Sequence, residues 1–121
     1  MLKYKNIISF VWSTNMEKSL RFYRDILGLH NVFESQGWIE LAVPGLDTGY
    51  VALNRWAKTE PPPKNEFITL GVEDLESFKT HLLSNDVELR GDIMQFYEEG
   101  VRMLKFFDPD KNIITAAEIQ M

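Results

Sequence analysis

The chain opens with an apolar run, Ile7-Ile8-Ser9-Phe10-Val11-Trp12, in which alternate residues fall on the same face of an extended strand. This predicts a strand over residues 6–13. Thr14 and Glu17 stand at capping-box spacing, so a helix starts near Asn15. Met16, Leu20, Tyr23 and Leu27 then recur at helical spacing as the face that packs on a sheet. Gly28 supplies the left-handed residue that ends the helix. Three strands are predicted next, over 31–35, 38–43 and 49–56, with hairpin chemistry at Pro44-Gly45-Leu46-Asp47-Thr48-Gly49.

The same pattern then returns. Asn15-Met16-Glu17 and Asp74-Leu75-Glu76 each follow an apolar strand and stand 59 residues apart in a chain of 121. The second strand–helix pair is predicted at 66–72 and Asp74–Ser84, with Leu75, Phe78 and Leu82 as the buried helical face and Asn85 as a left-handed cap. Three further strands complete this half. A linker at 58–65, stiffened by Pro61-Pro62-Pro63, separates a first unit (1–57) from a second (66–121). The prediction is an α+β chain, one domain built from two βαβββ units.

Two segments carry a family resemblance. Asn15-Met16-Glu17-Lys18-Ser19-Leu20-Arg21-Phe22-Tyr23-Arg24-Asp25-Ile26-Leu27-Gly28 resembles the first-helix signature of the glyoxalase / bleomycin-resistance / extradiol-dioxygenase superfamily, the vicinal oxygen chelate fold. Phe106-Phe107-Asp108-Pro109-Asp110-Lys111-Asn112 resembles its late Asp-Pro-Asp-Gly-Asn hairpin, with Lys111 in place of Gly. Asn112 is expected to take up the left-handed geometry that the missing Gly would have supplied. The resemblance implies a half-open barrel in which the two units form a cup, with the helices outside.

Composition narrows the function classes. With 45% hydrophobic residues, the chain can bury one core but hardly two independent ones. A net charge of −5 argues against nucleic acid as a partner. The absence of Cys excludes disulfides, thiolate metal sites and a Cys nucleophile. No apolar run reaches membrane-spanning length, and Met1-Leu2-Lys3-Tyr4-Lys5-Asn6 leads into no signal-peptide core, so no membrane partner and a cytoplasmic location are expected.

The resemblance also implies where metal ligands would stand. The family's metal enzymes place His, Gln or Glu at four cup positions, which fall here on Ile8, Ala52, Phe67 and Thr115. Three of these offer no lone pair and a lone Thr hydroxyl is a poor ligand, so no metal and no cofactor are expected. Glu66 and Glu118 lie nearby but on the opposite strand parity. His30 and His81 suit surface or structural roles, and the Asp108-Pro109-Asp110 carboxylates suit a turn.

Parity sends Ser9, Val11, Ser13, Ile68, Leu70 and Val72 toward the helices. It sends Ile8, Phe10 and Trp12 into the cup, joined from the second unit by Phe67, Thr69 and Gly71. Trp38, Glu40, Tyr50, Asn54 and Trp56 share that side in the first unit, and Met103, Lys105, Phe107 and Thr115 in the second. An aromatic-lined cup with few polar groups suits a small apolar or aromatic ligand. The expected function is metal-free binding, of the sequestration or resistance type, in a homodimer that includes a domain-swapped form among its options. The alternative is a lyase, isomerase or dioxygenase-type enzyme, metal-independent or with relocated ligands, whose acid–base candidates are Glu40, Lys105 and Tyr50.

Overall fold

A computed structural model describes residues 1–45, 49–96 and 100–119. The chain divides into two compact units, Met1–Lys64 and Asn65–Met121. The first contains strand β1 (Ile7–Ser13), helix α1 (Met16–Leu20) extended by a π-helical segment (Arg21–Ile26), and strands β2 (His30–Glu34), β3 (Trp38–Ala42) and β4 (Gly49–Arg55). The second contains β5 (Ile68–Gly71), α2 (Leu75–Ser84), β6 (Leu89–Phe96), β7 (Val101–Phe107) and β8 (Ile113–Ile119). The expected α+β class of two βαβββ units is the observed one. Of the expected hairpin at Pro44–Gly49, residues 46–48 lie outside the described residues.

Each unit folds by the same rule. Its first strand runs parallel to its last, giving sheet orders β1-β4-β3-β2 and β5-β8-β7-β6. Parallel pairing needs a crossover, and the helix supplies it while covering one sheet face. In the first unit Val11, Ser13, Ile39, Leu41, Val51 and Leu53 are buried, as are Ser19, Phe22 and Tyr23 from the helix. In the second, Leu75 and Leu82 are buried with Ile68, Leu104, Phe106, Ile114 and Ala116, and the Phe78 ring meets Phe106 at 5.8 Å. Among the described residues no helix is long and apolar enough to cross a membrane.

Four local expectations are corrected. The first helix is capped by Asn15, not Thr14: Asn15 Oδ1 accepts the Lys18 N–H at 3.1 Å. Its packing face is Ser19, Phe22 and Tyr23, whereas Met16, Leu20 and Leu27 are only half-buried. Ser19, Phe22 and Tyr23 share one helical face by their spacing, and beyond them the π-helical segment carries the Leu27 N–H back five residues to the Phe22 carbonyl. A hydrogen bond of 2.6 Å between the buried Ser13 and Ser19 hydroxyls then fastens this helix to the end of β1. At the end of α2 the left-handed residue is Asp86 (φ 57°), not Asn85 (φ −108°).

The fourth correction concerns the late hairpin. Lys111 itself adopts the left-handed conformation (φ 67°), which leaves Asn112 to act through its side chain. Asp108, 4% exposed, accepts from the Asp110 and Asn112 N–H groups, both at 2.9 Å, and from Asn112 Nδ2 at 2.8 Å. Asn112 Oδ1 in turn accepts the Asn65 N–H at 2.8 Å, while the Ile113 N–H donates to the Asn65 carbonyl at 2.9 Å. This turn therefore holds the lead-in to β5 alongside β8. The Asp-Pro-Asp carboxylates are turn chemistry.

Asp108→Ala strands the buried Asn112 donors and removes charge-assisted bonds, so it should destabilise the protein by about 3 kcal/mol in urea unfolding. A change below about 0.5 kcal/mol would refute the clamp. A second expectation concerns acid. Asp74 caps α2, and the Ser77 backbone N–H, followed by the Ser77 hydroxyl, holds its carboxyl below the usual range. A lowered folded pKa gives stability that is full above the unfolded value of about 3.9 and is lost as pH falls through the folded value. Asp74→Asn should thus lower the urea midpoint at pH 6 and converge with the parent near pH 2. A gap of constant size at both pH values would contradict this.

Candidate functional site

Antiparallel neighbours that stand directly opposite one another share a face, as do laterally adjacent residues of the parallel pairs, so the registers define the side of each sheet that carries no helix. In the first unit one row across that face is Phe10, Ala52, Glu40 and Phe33, on β1, β4, β3 and β2. The next row holds Trp12, Asn54 and Trp38. Ile8 stands beside Tyr50.

Aromatic contacts run continuously along this face. Phe10 meets Trp12 edge-on at 5.4 Å and Trp38 at 6.1 Å, and Trp12 meets Trp56 edge-on at 5.1 Å. Edge-to-face pairs of this spacing add roughly 0.5–1.5 kcal/mol beyond area burial. Trp38 reaches Phe10 across β4, where Ala52 is completely buried; a larger residue there would collide with the approach of the two rings. Phe10 stays 40% exposed, so the cluster is packed yet open to a ligand.

Two polar groups fix the ring positions. Glu40 Oε2 accepts the Trp38 indole N–H at 2.8 Å. Trp56, just beyond β4, donates its indole N–H to the Glu60 carbonyl at 2.7 Å, and the Lys58 ammonium lies 5.3 Å from its ring centroid. Trp38 and Trp56 are thus held at both the ring face and the polar edge.

The second sheet uses the same geometry with other chemistry. Its corresponding row is Thr69, Thr115, Lys105 and Arg90, on β5, β8, β7 and β6. Lys105 Nζ donates to Thr115 Oγ1 at 3.1 Å, and Thr115 is 4% exposed. Met103 and Met94 stand opposite each other two pairs further along. Phe67 lies ahead of β5 and is 88% exposed, because the strand begins at Ile68 rather than at 66; strand parity does not govern it.

The four inherited ligand positions do not fit a divalent metal. Ile8, Ala52 and Phe67 carry no donor atom, and the Thr115 hydroxyl is engaged by an ammonium that would repel a cation. Nor do nearby carboxylates relocate the site. Glu118 accepts the Leu75 N–H at the start of α2 at 2.8 Å and pairs with Arg102 at 3.5 Å, on the helix-covered side. Glu66 lies 3.9 Å from Arg90, with both side chains more than half exposed. His30 opens β2 and His81 lies on α2, both exposed. Among the described residues no group of three His, Asp or Glu gathers as a metal site would require.

Phe33 and Arg90 were missed by sequence reasoning. Phe33 enters its row because a register irregularity interrupts β2 between Asn31 and Phe33, whereas Arg90 pairs with Lys105 just ahead of an irregularity between Arg90 and Met94 in β6. The positive φ of Gly91 (80°) is the one sequence-visible hint of the second.

A family model described as the Glyoxalase/Bleomycin resistance protein/Dioxygenase superfamily matches residues 7–115. The chain resembles an integron cassette protein from the mobile metagenome of a Halifax Harbour sewage outfall, at 27% identity and TM-score 0.80, over 94% of this chain and 97% of that one. A superfamily member from Sphaerobacter thermophilus matches at 25% identity and TM-score 0.82, over 97% and 98%. TnmS3, an antibiotic binding protein from a Streptomyces species, shares the fold at 23% identity and TM-score 0.82, over 99% of both chains. No curated protein matches the chain by sequence.

The donor chemistry sets a direct expectation. Untagged, dialysed protein should retain far less than one equivalent of Ni, Zn, Fe, Mn or Co, and none of these should raise its melting temperature. One tightly held equivalent, lost on Glu118→Gln, would overturn the assignment of Glu118 to the helix terminus.

Proposed function

The chain belongs to the glyoxalase/bleomycin resistance protein/dioxygenase superfamily, and from that premise we propose that it binds a small planar aromatic molecule without transforming it. The observation that carries this reading is the ring sequence Trp38, Phe10, Trp12, Trp56 on the helix-free face of the first sheet. Rings already packed against one another lose little freedom when a flat ligand stacks on them, so little of the contact energy is spent on ordering. TnmS3 shows that an antibiotic binding protein can use this fold; the likeness supports the scaffold, and the rings support the ligand class.

Glu40 gives the site its polarity. One carboxylate oxygen orients Trp38, and a carboxylate has acceptor capacity beyond a single indole donor. A planar ligand with a cationic or N–H group at its edge would satisfy both the rings and the acid. A role for Glu40 as general base draws no support from this arrangement, since its hydrogen bond to Trp38 serves to position a ring. Holding a molecule without turnover is the sequestration role in its simplest form.

All three tryptophans of the chain lie in the cluster, so intrinsic fluorescence reports on it directly. Titration with acridine orange, a planar cation, should quench saturably with the dye recovered unchanged. Phe10→Ala should weaken binding about tenfold and Glu40→Gln by a smaller factor. Linear quenching, or equal affinity in Phe10→Ala, would remove the proposal; consumption of the dye would favour the enzymatic alternative.

A further inference from the structure

The row on the second sheet carries chemistry that the aromatic reading leaves unused. Arg90 stands directly opposite Lys105 across β6 and β7, and like charges so placed destabilise a sheet. Arg90 has partial relief from Glu66 at 3.9 Å. Lys105 does not: its ammonium donates to the Thr115 hydroxyl, and among the described residues no carboxylate stands within ion-pair distance of it. A half-buried lysine in register with a second cationic residue is an arrangement that an anion would stabilise.

Several donors share this row. An ammonium has three N–H groups, and the bond to Thr115 uses one. Thr115 accepts that bond through its oxygen and keeps its own O–H to donate. Thr69 adds a second hydroxyl beside Thr115, and Arg90 a guanidinium at the outer end of the row.

We propose that Lys105 and Thr115, assisted by Arg90, form an oxyanion-binding site on the helix-free face of the second sheet, taking the carboxylate or phosphate group of a small molecule. This stands on the charge pattern of the second sheet alone and does not depend on the aromatic site.

Met103 and Met94 flank the row and serve as reporters. In protein labelled with ¹³C at the methionine methyl groups, acetate and inorganic phosphate are titrated separately at low ionic strength. Saturable shifts at Met103 and Met94 are expected, weakening as salt is raised. Lys105→Met should weaken them about tenfold, Lys105→Arg should retain them, and Arg90→Gln should have an intermediate effect. The anion with the lower saturation point identifies the group as carboxylate or phosphate. Circular dichroism confirms that each variant is folded. Shifts that never saturate for either anion, or that are the same in folded Lys105→Met as in the parent, would overturn the site. Tryptophan fluorescence read in parallel separates its fate from that of the aromatic face.

Discussion

The constraint on which everything else rests is the parallel closure of each sheet. Ile7 to Ser13 lie alongside Gly49 to Arg55, and Ile68 to Gly71 alongside Ile114 to Ala117. Bringing such distant segments together carries a loop-closure cost that local contacts cannot repay alone. In the second unit Asn112 fastens the closure by gripping Asn65, and in the first the buried Ser13–Ser19 hydroxyl pair ties the crossover helix to β1. Once the parallel register is set, alternation decides which side chains face the helix and which face away. A slip of one residue would send Phe10 and Trp12 into the helix-packed core and Val11 and Ser13 out of it.

Because both units close in the same way, equivalent positions can be compared between them. Phe10, Ala52, Glu40 and Phe33 in the first correspond in sheet position to Thr69, Thr115, Lys105 and Arg90 in the second. An acid stands where its counterpart has an ammonium, and aromatics stand where the counterpart has a hydroxyl and a guanidinium. The repeat has kept its backbone and changed its chemistry position by position. Glu118 makes the complementary point. It is one residue type that could ligate a metal, yet its parity places it at the N-terminus of α2, where a carboxylate is favoured by the helix dipole and by the Leu75 N–H, which has no acceptor within the helix.

Most of the fold was legible because its signals are local and repeated. The alternating runs, Gly28 (φ 77°) and the family-like helix signature all lie within a few residues of the elements that they specify. The failures share a cause: each turned on which of two adjacent residues absorbs an irregularity. Asn15 rather than Thr14 caps the helix, Asp86 rather than Asn85 takes the left-handed conformation, and Lys111 rather than Asn112 does so in the hairpin. At the candidate site, Glu40, Lys105 and the aromatic residues of β1 and β3 were visible from parity. Phe33 was not, since the edge-strand bulge before it leaves no periodic signature, and Arg90 lies on an edge strand whose face no apolar alternation marks.

For the proposed binding role, the hydrogen bond from Trp38 to Glu40 matters more for selectivity than for stability. A half-buried carboxylate bonded to an indole N–H is fixed in direction, and the ring it holds is fixed against Phe10 at 6.1 Å. The ring cluster and the acid therefore form one pre-arranged unit rather than separate adjustable contacts. Pre-arrangement rewards ligands that are flat and carry a donor at the matching edge. It penalises those that would leave the acid desolvated and unpaired, at a cost of about 1–3 kcal/mol. Shape alone would admit any planar hydrocarbon. In the proposed binding role, the acid bonded to Trp38 is what would let this face choose among flat molecules.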